Sequence, residues 1–143
     1  LRTSPRWLSV CDIQQPRTGL EVKFSYAWLA AMVLSGIPTA SDRVYTDALA
    51  YDPALAAFAA KITASADPAV TDMQAVGEVT LIDGSTLPFA HDLSARLSTT
   101  VLESSLRAKA NGMLGAEAGQ VWQLGADLDH HMANDLGTAL RAS

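Results

Sequence analysis

Cysteine, aromatic residues and long apolar runs are all scarce in this sequence. The only cysteine, Cys11, excludes an internal disulfide, so we expect Cys11 to be a small core residue of a cytoplasmic protein in a reducing compartment. The longest apolar run, Tyr26 to Leu34, is far shorter than the roughly 20 residues that cross a bilayer. We therefore expect no membrane partner.

Clusters of basic residues are also absent. Charged residues make up 17% of the 143-residue chain, and the net charge is -5. Without a basic cluster to bind phosphates, we expect no nucleic-acid partner. The 49% of hydrophobic residues is typical of a globular protein with a real core.

The apolar periodicity predicts both strands and helices. A period of two predicts strands at residues 6–11, 73–81 and 86–91, and Pro88 marks the last as an edge strand because proline donates no backbone hydrogen bond. Asp83-Gly84 predicts a tight hairpin turn. Caps and apolar stripes predict helices at about 19–36, 41–50, 53–64, 100–115, 116–127 and 132–141.

This order of elements predicts an α+β fold. Because no strand and helix alternation is present, we expect a two-layer domain at residues 1–97, in which helices cover a small, mainly antiparallel sheet, followed by C-terminal helices at residues 98–143. The helix segment 26–34 has almost no polar face, so it is predicted to be buried on all sides. In so short a chain, that burial requires a second covering body, either another subunit or a domain outside this chain.

The sequence contains no clear cofactor or metal motif. Phosphate loops, dinucleotide fingerprints and nucleophile elbows are missing, so we predict no cofactor. One helix face could present metal ligands at the spacing of Asp127, His130, His131 and Asp135. A polar junction between two helices also explains these residues, and we favour it over a metal site. For His91, beside Asp92, a surface pair is favoured over a catalytic one.

The stretch PRTGLEVKFS, residues 16–25, concentrates polar groups before the apolar segment. Thr18 and Glu21 form the T-x-x-E pattern of a capping box. The other candidates lie at the same predicted helix N-terminus, where amides and the helix dipole favour an anion; they are Arg17, Lys23, Ser25 and Tyr26. Two interpretations stay open: these residues bind a carboxylate, or Arg17 and Lys23 contact Glu21 or water while Tyr26 packs.

The longer stretch SVCDIQQPRTGLEVKFSYAWLAAMVLSG resembles the start of the second domain of the MmgE/PrpD family. That family includes 2-methylcitrate dehydratase, cis-aconitate decarboxylase and iminodisuccinate epimerase. Three later stretches are similar to the family in the same order, so the resemblance covers nearly the whole chain; they are YTDALAYDPALAAFAAKI, VGEVTLIDGSTL and LRAKANGMLG.

The resemblance implies a mobile α+β lid followed by C-terminal helices that pack on a large helical domain. Such enzymes are lyases or isomerases that act on small di- or tricarboxylic acids, without metal or organic cofactor, by abstracting a proton next to a carboxylate. Most catalytic residues belong to the helical domain, which precedes the lid and is not in this chain. We therefore expect the chain to be inactive alone, to require that domain as a partner, and to form a homodimer.

The resemblance also implies roles for single residues. Arg17 and Lys23 would hold a substrate carboxylate, Ser25 or Tyr26 would hydrogen-bond it, and Lys23 and Tyr26 are the catalytic candidates. Many relatives carry a functional tyrosine about five residues after the lysine, but here Trp28 has that spacing and Tyr26 lies earlier. The alternative function is a stand-alone α+β module without catalysis, which dimerises through the segment 26–34.

Overall fold

The computed structural model of the chain describes residues 1–127 and 133–141. The predicted α+β fold is confirmed: a small sheet, mostly antiparallel, is combined with helices. The chain divides into two units, of which the first comprises Leu1–Thr39 and Arg43–Ala95. The second comprises Ala40–Asp42 and the chain from Arg96 onward.

The sheet belongs to the first unit and has the strand order β2-β1-β3-β4. Strands β3 (Gln74–Thr80) and β4 (Thr86–Asp92) form the predicted hairpin, and Gly84 in its turn has a φ of 83°, which suits glycine. Strand β4 lies at an edge of the sheet, as its proline at position 88 predicts.

Two further strands are too short to leave a periodic signal in the sequence. Strand β1 (Arg2–Thr3) pairs antiparallel with β3 and parallel with β2 (Ser65–Ala66). In antiparallel pairs, opposed side chains lie on the same face, so Thr3, Ala75 and His91 share one face of the sheet.

Eight α-helices lie within the described ranges: α1 (Pro5–Cys11), α2 (Gly19–Val22), α3 (Tyr26–Leu34), α4 (Asp47–Ala50), α5 (Pro53–Ala59), α6 (Thr99–Leu114), α7 (Ala118–Ala126) and α8 (Ala133–Arg141). Short 3₁₀ turns occur at Asp42–Val44 and Gly115–Glu117. Asp52 caps α5, because its carboxylate accepts hydrogen bonds from the amides of Ala54 and Leu55.

Residues 6–11 correct the sequence prediction, because they form helix α1 and not a strand. Pro5 occupies the first turn of α1, where its fixed φ suits a helix and its missing N–H has no cost. The side chains of the adjacent residues Arg6 and Trp7 both reach Asp72, which opposite faces of a strand would not allow.

The helix predicted from about 19 to 36 is also corrected, because it is divided into α2 and α3. Ser25, between them, has extended dihedrals and pairs with Asp12 as an isolated bridge. Its hydroxyl oxygen accepts the amide of Trp28 and thereby begins α3. At the other end Gly36 stops α3 as predicted: with a φ of 74° it allows Ile37 N–H to reach the carbonyl of Met32, the hydrogen bond of a Schellman motif.

Three other helix boundaries differ from the predictions. A 3₁₀ turn and α4 replace the helix expected at 41–50, and α5 ends at Ala59, before the predicted residue 64. Helix α6 begins at Thr99, one residue before the predicted start, because the Ser98 hydroxyl accepts the amide of Val101.

The core of the first unit is built around α3. Four of its side chains, those of Ala27, Trp28, Ala31 and Met32, are buried and pack with residues of α2, α4 and α5. Val33 and Leu34, at the C-terminal end of α3, are 61% and 51% exposed. Burial of α3 is therefore incomplete within this chain, and the second covering body stays a prediction.

Candidate functional site

The polar turn before α2 is held together by Thr18 and Glu21. Thr18 Oγ1 accepts the amide of Glu21 at 3.2 Å, as the capping pattern predicts. The carboxylate of Glu21 reaches back to the main-chain N–H of Arg17 at 2.6 Å, one residue beyond the position that a capping box predicts. Both side chains are thus used to fix the backbone that carries Arg17.

Arg17 and Lys23, which flank these capping groups, have no acidic partner among the described residues. The ion pairs within residues 1–127 and 133–141 join Arg2 to Asp67, Arg6 to Asp72 and Arg107 to Glu103. Pairing of Arg17 or Lys23 with Glu21 is therefore absent from the structure. Two positive charges remain available to an anion at this turn.

Backbone amides contribute less to an anion site than the sequence predicts. Helix α2 has only four residues, so its dipole is small. Its first N–H, that of Gly19, already donates to Asp47 Oδ1 at 2.9 Å, and the carboxylate of Asp47 lies where the predicted anion would bind. A ligand at this turn must therefore be held mainly by side chains.

Lys23 contacts the aromatic ring of Tyr45, with Nζ 4.8 Å from the ring centroid. The Tyr45 hydroxyl donates to the carbonyl of Thr39 at 3.1 Å, and partial burial raises the pKa of Tyr45. Because a phenol of raised pKa stays neutral near pH 7, this contact orients the ammonium without neutralising it.

Ser25 is only 1% exposed, and its hydroxyl oxygen accepts the amide of Trp28 at 3.3 Å. The structure thus gives Ser25 a role at the junction of α2 and α3. It fixes the direction in which α3 leaves the turn.

Tyr26 lies in different surroundings from Arg17 and Lys23. It lines a cavity of about 330 Å³ together with Thr3, Trp7, Asp72, Gln74 and His91, and its hydroxyl is 3.5 Å from Thr3 Oγ1. Arg17, Lys23 and Ser25 do not line this cavity. The structure therefore brings Arg17 and Lys23 to the turn before and after α2 and places Tyr26 at a separate cavity of the same unit.

Asp72 anchors one wall of that cavity. Its carboxylate accepts from Ser4 Oγ at 2.6 Å and from Arg6 Nη1 at 3.1 Å, while its carbonyl accepts from Trp7 Nε1 at 2.9 Å. The Ser4 hydroxyl, and then Arg6, hold the pKa of Asp72 below its ordinary value. These contacts fix α1 beside the start of β3.

The carboxylate of Asp92, next in the chain to the cavity residue His91, is also used within the chain. It accepts from Ser94 and from Gln74 Nε2, and the Ser94 hydroxyl is the main cause of the lowered pKa of Asp92. His91 is exposed at the cavity margin, and its positive form would lower the pKa of Asp92 further.

The sequence interpretation missed Tyr45 and Asp47, although both contact the polar turn. Their positions follow from the packing of α2 against α4, which no local pattern encodes. The Thr46 cap of α4 was the available signal for placing this segment, because it predicts that the chain turns here.

No group of three or more metal-ligating side chains occurs in the part of the chain that the structure describes. His130 and His131, of the metal alternative, lie outside the described residues. Among the described helices, none is both long enough and apolar enough to span a bilayer.

Comparison with protein-family models, curated proteins and solved structures gives no match to this chain.

Proposed function

We propose that this chain is the lid-bearing C-terminal portion of an MmgE/PrpD-like lyase or isomerase acting on small di- or tricarboxylic acids. One observation carries the proposal: Arg17 and Lys23, the two cations of the family-like motif, have no acidic partner among the described residues, while Thr18 and Glu21 fix the turn between them. A substrate carboxylate would supply the missing partner.

The two cations suit different parts of that task. The guanidinium of Arg17 offers paired donors that match the two oxygens of a carboxylate, whereas the ammonium of Lys23 is a compact charge with three donors. Withdrawing charge from a substrate carboxylate makes the adjacent C–H more acidic, because the negative charge that develops on deprotonation is stabilised. Arg17 and Lys23 would thereby assist dehydration, decarboxylation or epimerisation without removing the proton themselves.

The base that removes the proton is assigned to the helical domain outside this chain, so the chain is inactive alone. Ser25 acts in this proposal through the geometry of the turn, since its hydroxyl oxygen caps α3. Tyr26 remains a weaker candidate for contact with substrate, because it lines a cavity that neither cation lines.

Carboxylate binding is tested by titrating the chain with citrate and following backbone amide signals by NMR. We expect shifts at residues 17–23, a weaker affinity in Lys23→Gln, and an unchanged affinity in the control Lys109→Gln, whose lysine lies in the second unit. Binding should also weaken with added salt, because it is electrostatic. Equal citrate affinity of wild type and Lys23→Gln would remove Lys23 from the site.

Catalysis is tested on the polypeptide that the complete reading frame encodes. We expect a helical domain upstream of this chain, and we expect the complete polypeptide to form an alkene, lose carbon dioxide or exchange a proton next to a carboxylate of the acid supplied. A complete polypeptide without such a domain would overturn the lyase or isomerase assignment.

A second candidate, a stand-alone α+β module that dimerises through α3, is favoured by the exposure of Val33 and Leu34. Burying such side chains between two copies would remove apolar surface from water. Sedimentation should then show a dimer that Leu34→Glu dissociates. A monomeric wild type would contradict this candidate and leave the outer side of α3 to the absent helical domain.

A further inference from the structure

The segment Tyr45–Thr46–Asp47 contacts the polar turn in three separate ways. The Tyr45 ring lies under Lys23 Nζ at 4.8 Å, and Asp47 accepts the amide of Gly19 at 2.9 Å. Gly19 also packs directly on the backbone of the segment, since a Cβ added there would lie 1.9 Å from the Tyr45 carbonyl oxygen. The backbone of the turn and the ammonium of Lys23 are therefore fixed to the same short segment.

The Tyr45 ring is itself held in place. Its hydroxyl donates to the Thr39 carbonyl at 3.1 Å, so rotation of the side chain away from Lys23 would break a hydrogen bond. Lys23 is half-buried, whereas Lys61 and Lys109 are exposed. The Tyr45 ring is therefore held by its own hydrogen bond in the position where it contacts Lys23.

An aromatic support has a chemical advantage over an acidic one at this position. A carboxylate beside Lys23 would neutralise the ammonium and compete with an acidic ligand. The face of a neutral ring attracts the ammonium through its quadrupole and leaves the full positive charge in place. The N–H donors that do not point at the ring remain able to bind oxygen atoms.

We propose that Tyr45 is a positioning residue that holds the ammonium of Lys23 in the orientation that receives a substrate carboxylate. This inference rests on the proposed function of Lys23. It adds Tyr45, a residue that neither the family-like motif nor the spacing of residues in the sequence identifies. Tyr45 acts through Lys23 and is not assigned a contact with the substrate.

The contact itself is tested without any ligand. The chain has only three lysines, and reductive methylation with ¹³C-formaldehyde labels them while keeping their charge. We expect the Lys23 dimethylamino signal to be shifted upfield by the Tyr45 ring. Lys61, with Nζ 6.0 Å from the Phe58 ring, and Lys109, absent from the ring contacts of the described residues, are internal references.

Two variants separate the ring from its hydroxyl. Tyr45→Phe keeps the aromatic face and should retain the upfield shift, whereas Tyr45→Leu should bring the Lys23 signal back to the position of Lys109. Circular dichroism of both variants checks that the fold is retained. If Tyr45→Leu fails to fold, the wild-type shift and the Tyr45→Phe result still decide whether the contact exists.

Citrate titration then tests whether the contact matters for binding. We expect Tyr45→Leu to weaken citrate binding by about two- to fivefold, the range that an exposed cation–π contact represents, and Tyr45→Phe to bind like wild type. Unchanged affinity in Tyr45→Leu, or a Lys23 signal without an upfield shift in the wild type, would overturn the inference. Absence of citrate binding by the wild type, with the upfield shift present, would contradict the carboxylate site and with it the role of Tyr45.

Discussion

Gly19→Ala provides the sharpest test of how the polar turn is built. The added Cβ would lie 1.9 Å from the Tyr45 carbonyl oxygen, 2.4 Å from the Tyr45 carbonyl carbon and 2.9 Å from the Thr46 carbonyl carbon. All three are backbone atoms, so no side-chain rotation relieves the overlap. The turn and the segment at 45–46 must move apart.

The expected cost follows from two terms. Overpacking typically costs about 1–3 kcal/mol, and loss of the Gly19 N–H bond to the charged Asp47 oxygen adds about 1.5–3 kcal/mol. We expect Gly19→Ala to lower the free energy of unfolding by about 2.5–6 kcal/mol, although helix propensity alone would favour alanine. Urea unfolding gives this difference, and citrate binding should weaken as well, because Lys23 leaves its ring.

Gly119→Ala is the matched control, because a Cβ at Gly119, the second residue of α7, meets no atom within 4 Å. It should stabilise the second unit by about 1 kcal/mol through helix propensity. The indole N–H signals of Trp28 and Trp122 follow the two units separately by NMR. A loss below about 1 kcal/mol for Gly19→Ala would refute the close approach of the two segments.

Three other substitutions test neighbouring features. Thr18→Ala should cost about 1 kcal/mol in thermal unfolding, as lost N-caps do, and an unchanged midpoint would show that Thr18 does not cap. Lys23→Ala should weaken citrate binding more than it lowers the free energy of unfolding. A loss of stability with unchanged citrate affinity would show that Lys23 supports the fold and does not bind the carboxylate. Folding lowers the pKa of Asp72, so the ionised carboxylate stabilises the fold above its unfolded pKa, and this stabilisation is lost as the pH falls through the folded pKa. Asp72→Asn should therefore flatten the decline of the free energy of unfolding below about pH 4. An unchanged decline in the variant would show that Asp72 does not contribute to acid unfolding.

Elements defined by local chemistry were predictable from the sequence. Asp83-Gly84 sets the hairpin because glycine accepts the positive φ of the turn, and Asp52-Pro53 begins α5 because it combines a cap with a fixed φ. Pro88 excludes a central position because it donates no hydrogen bond to a neighbouring strand.

Elements defined by distant contacts were not predictable in the same way. Helix α1 reads as alternating, and its anchor, Asp72, is more than sixty positions away in the chain. Strand β1 has only two residues and is specified by its partners on both sides.

For the candidate site, the sequence identified the cap of Thr18 and the two cations, because these depend on neighbours within a few residues. It did not separate Tyr26 from them, because a new helix, α3, begins after Ser25 and Tyr26 lines a cavity that neither cation lines. Tyr45 approaches Lys23 only through the packing of α2 on α4.

The central position of β1 in the sheet has a consequence for the order of folding. The hairpin of β3 and β4 joins residues that are close along the chain, whereas Arg2 pairs with Ser65 and Val76. Closing such long loops costs entropy that local pairing avoids, so the hairpin should form early and β1 should dock late. In stopped-flow experiments, Thr3→Ala should mainly accelerate unfolding, while Gly84→Ala, at a φ of 83°, should slow refolding. The two residues that complete the sheet would then be the last to enter it and the first to leave.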